Sequence, residues 1–131
     1  MSADPVDLAR RYVDLWYLPG TEDELRALLA DGYVHHTPSG DFDTEFLVGS
    51  LRAIAAALTD PEWQVVHALA DGPIASVYVT VEATHSGELF GLAATGRRVT
   101  TAGACFMRFE HGRLAEDWDA WALQTLVAQL S

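Results

Sequence analysis

Ionisable residues that could support acid–base chemistry collect in two segments of the chain. The segment "YVHHTPSG" carries His35 and His36, and the closing segment "EDWDAWALQTLVAQL" carries Glu116 and Asp119. Carboxyl and imidazole groups transfer protons near neutral pH when burial or neighbouring charges adjust their pKa values. Which of these side chains faces an interior therefore decides what chemistry is available.

The elements that position these residues fall into two halves. Apolar stripes with helical spacing and capping residues predict three helices, within "DPVDLARRYVDLWYLPG", "TEDELRALLADG" and "DTEFLVGSLRAIAAALTDP". From Trp63 onward the period changes to two, which predicts strands in "WQVVHAL", "IASVYVTVEATH", "RRVTTAGACFMRF" and "GRLAEDWDAWA". We expect one α+β domain over residues 1–131, with three N-terminal helices covering one face of a mostly antiparallel sheet.

The hairpin at "EHG" sets the register of the last two strands. A turn centred on "HG" gives the following inward-facing pairs: Phe109 with Leu114, Met107 with Glu116, Cys105 with Trp118, Gly103 with Ala120 and Thr101 with Ala122. This register makes Glu116 a lone carboxylate on an apolar face, where burial would raise its pKa. Asp119 points outward unless a β-bulge re-aims it.

Two histidines are further candidates for proton transfer. His36 precedes Pro38 in a loop and is either a pocket residue or a surface turn residue; His85 continues the apolar face of its strand and is either at a pocket rim or a satisfied core histidine. His35 faces the opposite way to His36 and is expected to be exposed. The histidine spacing does not match a metal-ligand pattern, so no metal site is predicted.

The inward face runs from large side chains near the hairpin turn to small ones at its far end. Small residues there leave either a cavity or room for a closely packed helix. If a cavity forms, we expect substrate to contact these residues: Trp16, Tyr33, Cys105, Met107, Trp118 and Ala122.

Composition excludes several classes of partner. The net charge of −11 disfavours nucleic acid and anionic membranes. Cys105 is the only cysteine, so no intrachain disulfide can form, and neither a signal peptide nor a membrane-spanning segment is evident. We expect a cytoplasmic protein.

Several short motifs together resemble the SnoaL-like polyketide cyclases of the nuclear transport factor 2-like superfamily. The matching residues occur in the family's order: His36, Pro38, Thr84, His85, Gly87, Gly91, Thr95, Gly96, Arg108, Gly112, Glu116, Trp118, Gln129 and Leu130. The resemblance implies a cone-shaped α+β fold, a curved sheet around three helices and a deep apolar pocket. It also implies an intramolecular aldol closure of a polyketide ester, as in antibiotic biosynthesis, without a metal or organic cofactor.

One departure from the family pattern affects the expected chemistry. The family's usual acid/base is an aspartate four residues after the tryptophan, and here that position is Ala122. Glu116, His36 or His85 could carry the proton transfer instead, or the pocket could direct ring closure by shape. Alternatives are a hydroxylase or hydrolase on the same scaffold, and a non-catalytic binding protein for small molecules.

The sequence also predicts self-association. Phe106 and Trp121 are the apolar members of the otherwise polar outward face of the last hairpin. We therefore expect a homodimer or higher homo-oligomer formed through that face, and an apolar polycyclic or polyketide-like small molecule as the other partner.

Overall fold

The computed structural model describes residues 4–130, apart from the side chains of residues 123–125, and shows an α+β fold. The helices are α1 (Pro5–Tyr17), α2 (Glu22–Leu28), α3 (Thr44–Ala57) and α4 (Leu123–Leu130). The strands are β1 (Leu29–Thr37), β2 (Gly40–Phe42), β3 (Leu58–Asp71), β4 (Ile74–His85), β5 (Arg98–Glu110) and β6 (Arg113–Trp121). The predicted class is confirmed. Residues 1–3 and 131 of the predicted domain lie outside the described residues.

The strands form one open mixed sheet in the order β2-β1-β6-β5-β4-β3. β1 runs parallel to β6, and the other neighbouring strands are antiparallel. β3 begins at Leu58, directly after α3, and therefore includes the residues before Trp63 that were expected to be helical. α1 packs across β3 and β4. We call the side of the sheet that α1 covers the inner face and the opposite side the outer face.

Two of the predicted helix starts are confirmed by their caps. The side chain of Asp4 accepts a hydrogen bond from the backbone N–H of Val6 at 2.8 Å, and Asp43 accepts one from Phe46 N–H at 3.0 Å. Such caps satisfy backbone donors that the first helical turn leaves without a partner.

Thr21 and Glu24 have the spacing of a capping box and predict one at the start of α2, but this prediction is wrong. Thr21 makes no capping hydrogen bond and instead donates its hydroxyl to the carbonyl oxygens of Leu15 and Leu18, each at 2.9 Å. α2 also ends at Leu28, before Gly32, because the chain turns directly into β1.

The apolar tail forms a fourth helix that the sequence reasoning did not predict. Leu126 and Leu130 of α4 are buried in a small apolar cluster with Val99. The Gln129 amide bonds both backbone groups of Thr100, accepting from its N–H at 2.8 Å and donating to its carbonyl at 2.7 Å. β6 ends at Trp121 and does not extend alongside Thr100, so the Gln129 side chain takes the place of the strand that would otherwise pair with Thr100.

A β-bulge in β6 changes the predicted register of the hairpin. Leu114 pairs with Phe109 as expected, and the register then shifts by one residue at Ala115. The pairs beyond the shift are Arg108 with Glu116, Met107 with Asp117, Cys105 with Asp119 and Gly103 with Trp121. The predicted pairing of Met107 with Glu116 is therefore wrong. Because side chains alternate along a strand, one extra residue exchanges the faces of everything after it.

The Trp121 ring lies over Gly103, which makes that glycine a packing requirement. A methyl group added at Gly103 would overlap the ring, whereas one added at Gly49 in α3 would meet nothing within 4 Å. We expect Gly103→Ala to lower the free energy of unfolding by about 1–3 kcal/mol through overpacking. Gly49→Ala should raise it by up to about 1 kcal/mol through helix propensity.

Urea denaturation of both variants tests this packing. An unchanged midpoint for Gly103→Ala, with the expected increase for Gly49→Ala, would mean that Trp121 does not rest on the sheet at this position.

Candidate active site

A fully buried carboxylate lies at the centre of the inner face. Asp117 accepts hydrogen bonds from the hydroxyls of Tyr12 at 2.7 Å and Tyr33 at 2.8 Å, both on the same carboxylate oxygen. Its other oxygen accepts a hydrogen bond from Nδ1–H of His35 at 2.5 Å. Burial of a charge is tolerated when its hydrogen-bonding capacity is met, and here α1 and β1 supply the donors.

His35 links this carboxylate to a second one. With Nδ1 committed to Asp117, the other ring nitrogen, Nε2, lies 3.8 Å from a carboxylate oxygen of Asp119. Burial disfavours the charged imidazolium, but the hydrogen bond to Asp117 and the charges of both aspartates outweigh it, and the pKa of His35 is raised. A charged or readily protonated imidazole therefore stands between two carboxyl groups.

Asp119 has the electrostatic properties of a general acid/base. Burial, followed by the charge of Asp117, raises its pKa from 3.8 to about 6. The Cys105 side chain, the charge of His35 and the Trp121 side chain partly oppose that change and lower the pKa. Its Oδ1 atom is buried and has no hydrogen-bond partner among the described residues. A pKa near the working pH and an uncommitted oxygen suit a group that exchanges protons with a ligand.

Apolar and aromatic side chains surround these acids. Met107 and Cys105 are buried beside them as the strand partners of Asp117 and Asp119. Burial, together with the charge of Asp119, raises the pKa of the Cys105 thiol, which keeps it neutral. Trp121 covers the site from the next inward position and packs against Trp16, with ring centroids 6.0 Å apart. Low polarity here strengthens each electrostatic interaction of the acids.

Glu116 and His36, two of the predicted catalytic residues, lie on the outer face. Glu116 accepts hydrogen bonds from Arg108 Nε and His36 Nε2, both at 2.8 Å. The bond from Arg108 and then that from His36 lower the pKa of Glu116, so the predicted raised value is wrong. His36 also bonds Asp41 at 2.8 Å, and the carboxylates of Glu116 and Asp41 raise its pKa. Both residues lie on the face opposite Asp117 and Asp119, and a catalytic role for either one stays a prediction.

His85, the third predicted catalytic residue, is fully buried at the end of β4. Its Nδ1 accepts a hydrogen bond from the backbone N–H of Thr95 at 3.2 Å and lies 2.9 Å from the Thr95 hydroxyl. It therefore anchors the loop between β4 and β5. The structure does not bring it into contact with the aspartates, and its catalytic role stays a prediction.

The predicted substrate-contacting residues divide between the two faces. Trp16, Tyr33, Cys105 and Met107 are buried on the inner side. Trp118 instead projects from the outer face, where its ring stacks on His36 at a centroid distance of 4.9 Å. Ala122 is exposed and lines a groove of about 610 Å³ with side chains of β3, β4 and β5. The bulge accounts for the position of Trp118, because it reverses the faces of the β6 residues after Ala115.

The sequence reasoning missed four residues of this site: Tyr12, His35, Asp117 and Asp119. Strand alternation could have found one of them, because Tyr33 and His35 are two residues apart and must share a face, whereas His36 cannot join them. Strict alternation points Asp119 outward, and only a bulge turns it inward. The bulge itself has a weak local signal, since Leu114 and Ala115 are consecutive buried residues.

Three residues of this site also lie close enough together to be a candidate metal site. Ligand atoms of His35, Asp117 and Asp119 lie within 4.8 Å of one another, the one such group in the described part of the chain. Asp117 already accepts three hydrogen bonds, however, which leaves one imidazole nitrogen and one carboxylate. Structural and catalytic zinc sites use at least three protein ligands, so the donor set fits proton transfer better.

Comparison with known proteins identifies the family. The model of the SnoaL-like polyketide cyclases matches residues 6–130. The chain belongs to the SnoaL-like polyketide cyclase family. No curated protein sequence matches it.

Several solved structures share the fold. AclR, a proposed hydroxylase from Streptomyces galilaeus, is 24% identical with a TM-score of 0.89, covering 99% of this chain and 82% of its own. IdmH, a proposed polyketide cyclase from Streptomyces antibioticus, is 25% identical with a TM-score of 0.86, and the match covers 97% of this chain and 98% of IdmH. TsrD from Streptomyces laurentii is 23% identical with a TM-score of 0.81, and the match covers 95% of this chain and 96% of TsrD.

The raised pKa of Asp119 predicts how stability depends on pH. Its folded-state pKa of about 6 exceeds the ordinary 3.8, so the folded protein holds this proton more tightly than the unfolded chain. Stability present below pH 4 is therefore lost as the pH rises through 6, by about 3 kcal/mol. Asp119→Asn carries no such proton, so its unfolding free energy relative to wild type should increase by that amount between pH 4 and 8.

Glu116→Gln is the matched control, measured by urea denaturation across the same pH range. In wild type the folded-state pKa of Glu116 is lowered, so Glu116 adds stability as the pH rises. The unfolding free energy of Glu116→Gln relative to wild type should therefore decrease with pH, the opposite of Asp119→Asn. A pH-independent difference for Asp119→Asn would show that this carboxyl group is not held in its protonated form.

Proposed function

We propose that this protein is a cofactor-independent polyketide cyclase in which Asp119 is the general acid/base. The observation that carries the proposal is the uncommitted, buried carboxyl oxygen of Asp119, whose pKa is raised to about 6 beside His35. Membership of the family and the likeness to IdmH, a proposed polyketide cyclase, support it.

The proposed reaction is an intramolecular aldol closure. The Asp119 carboxylate removes a proton from a carbon next to a carbonyl group of the substrate and becomes neutral. The resulting enolate carbon attacks a second carbonyl carbon, so that a C–C bond forms and the carbonyl π electrons move to oxygen. That alkoxide takes a proton from Asp119, which restores the carboxylate. Atoms and charge balance without another reactant, and a base with a pKa near 6 is suited to both proton transfers.

His35 and Asp117 are positioning residues in this scheme. The hydrogen bond from His35 Nδ1–H to Asp117 fixes the ring, so that Nε2 faces Asp119. An imidazolium in that place would stabilise the carboxylate and the negative charge that develops on the substrate. Tyr12 and Tyr33 hold Asp117 in turn. The arrangement resembles other sites in which two nearby carboxyl groups are given different environments and therefore different roles.

The electrostatics of the site favour an uncharged substrate. Two aspartates line the inner face, the net charge is −11, and the flanking side chains are aromatic or apolar. A free carboxylic acid would be repelled when ionised, whereas a neutral ester or ketone would not. This agrees with a polyketide ester. None of the helices in the described part is long and apolar enough to cross a membrane.

Proton abstraction can be tested with the bicyclic ketone 1-tetralone, whose carbon next to the carbonyl carries exchangeable hydrogens. Exchange of these hydrogens in D₂O, followed by NMR, should be faster with the protein than in buffer. The rate should increase with pH through about 6, where Asp119 loses its proton. Asp119→Asn should lower the protein-dependent rate by about 10²–10⁴-fold, the usual contribution of a positioned base.

The variant Glu116→Gln distinguishes Asp119 as the base from Glu116, the base that the sequence predicts. It keeps the shape of a side chain on the outer face and should leave the exchange rate nearly unchanged. Loss of exchange in Glu116→Gln with retention in Asp119→Asn would reverse the assignment. Absence of protein-dependent exchange, despite binding of the ketone, would favour the alternative of a binding protein.

We further propose that the protein forms a homodimer through the outer face of the sheet. Phe106 and Trp118 are strand partners there and are 54% and 39% exposed, and Tyr78 on β4 is 43% exposed. The charges beside them are paired within the chain, as Arg108 bonds both Glu110 and Glu116. Internal pairing lets two copies of an acidic protein approach at this face. Trp121, expected to belong to the interface, packs on the inner face instead.

Phe106→Lys should convert a dimer to a monomer, because it places an unpaired charge in the centre of the proposed interface. Phe90→Lys is the control, since Phe90 is similarly exposed (55%) but lies in the loop after β4. Light scattering at micromolar concentration gives the mass of each variant. A wild-type monomer, or a dimer that survives Phe106→Lys, would rule out this interface.

A further inference from the structure

Both ring nitrogens of His36 are hydrogen-bonded to carboxylates on the outer face. Nδ1 lies 2.8 Å from a carboxylate oxygen of Asp41 on β2, and Nε2 lies 2.8 Å from a carboxylate oxygen of Glu116 on β6. An ionised carboxylate only accepts hydrogen bonds, and a neutral imidazole has a single N–H to donate. The two bonds together therefore require the doubly protonated ring, which is a cation.

This imidazolium lies at the surface that we propose for the homodimer. His36 is the strand neighbour of Trp118, and its ring stacks on the indole with the two ring planes 12° apart. Trp118 is in turn the strand partner of Phe106. A cation over the face of an indole is attracted by the ring, so the imidazolium also orients Trp118. His36 therefore holds one of the aromatic side chains that two copies would bury between them.

The charge of the groups around His36 depends on its proton. Asp41 and Glu116 contact the ring, Arg108 bonds Glu116, and Glu110 bonds Arg108. Three carboxylates and two cations give this cluster a net charge of −1, which becomes −2 when His36 is neutral. A neutral ring would also leave one carboxylate facing a nitrogen lone pair instead of an N–H. Loss of one proton therefore adds a negative charge and removes a hydrogen bond at the same place.

We propose that protonation of His36 controls the homodimer of the outer face, so that two copies associate while the imidazolium is present and separate when it is lost. Covering an unpaired carboxylate is costly, and two clusters of like charge repel each other across an interface. The dimer therefore holds the proton of His36 more tightly than the monomer, and association is lost as the pH rises through the pKa of His36. Glu116, followed by Asp41, raises that pKa above the ordinary 6.5. The inference rests on the proposed homodimer and adds the group that regulates it.

Sedimentation equilibrium at pH 6 and pH 9 measures this regulation. The dissociation constant of the wild-type dimer should rise about tenfold, which corresponds to a pKa difference of about half a unit in each protomer. His36→Gln keeps a polar side chain but cannot carry the charge, so it should dimerise as weakly at pH 6 as wild type does at pH 9. Equal dissociation constants for wild type at the two pH values, or the wild-type rise in His36→Gln, would overturn the inference.

A variant with the opposite effect distinguishes charge balance from a general loss of folding. Asp41→Asn removes one negative charge from an exposed side chain, so the cluster at pH 9 carries −1, as in wild type at pH 6. This variant should dimerise at pH 9 about as tightly as wild type does at pH 6. Asp23→Asn changes the net charge of the protein equally, but on an exposed position of α2, and should behave as wild type. Weak dimerisation of Asp41→Asn at pH 9 would contradict the proposed charge balance.

Two other exposed histidines provide the remaining controls. His67 is the strand partner of Tyr78 on the outer face, and His111 lies in the turn between β5 and β6. His67→Gln and His111→Gln should each keep the pH dependence of wild type, and its loss in either variant would assign the effect to that residue instead of His36. A wild-type dimer that does not respond to pH would reject the inference and leave the interface in place. A wild-type monomer at pH 6 would reject the interface and the inference together.

Discussion

The hydrogen bonds that Asp117 accepts from Tyr12, Tyr33 and His35 are the interaction on which the rest of the site depends. A carboxylate buried without donors would be strongly destabilising, so the donors must reach it from their own elements. Tyr12 ties α1 to the inner face, and the two β1 residues require β1 and β6 to lie side by side in register. One buried charge thereby joins a helix and two strands that are far apart in sequence.

The same arrangement gives two neighbouring aspartates different environments. Asp117 is surrounded by donors, whereas Asp119, two residues later on the same face, keeps one oxygen without a partner and feels the negative charge of Asp117. Burial and that charge raise the pKa of Asp119, and His35 faces it from the other side. The proton-transfer role that we propose for Asp119 therefore depends on a difference in hydrogen bonding between two aspartates.

The bulge at Ala115 delivers both aspartates to the interior. Without it, β6 would present Glu116 and Trp118 to the inner face, and the aspartates would meet solvent. The family resemblance implies an aspartate at position 122, where this chain has Ala122; Asp119, three residues earlier, lies on the inner face. A bulge of one residue thus decides which carboxyl groups of β6 lie inside the fold.

The sequence by itself determined the α+β class, the first and third helix starts, the buried face of β4 and the hairpin turn at His111–Gly112. These features follow from local rules, namely capping chemistry, side-chain periodicity and the positive φ angles that both turn residues adopt. The family resemblance was also visible, because its motifs occur in order along the chain.

Only the tertiary structure decided which face each residue beyond Ala115 occupies, and hence that Asp119 rather than Glu116 lies inside. Alternation is a local property of a strand, but its phase is set by pairing with a neighbouring strand, and a single extra residue reverses it. The energies that settle this phase are non-local: donors from α1 and β1 for Asp117 on the inner face, and Arg108 and His36 for Glu116 on the outer face. No pattern within β6 contains those partners.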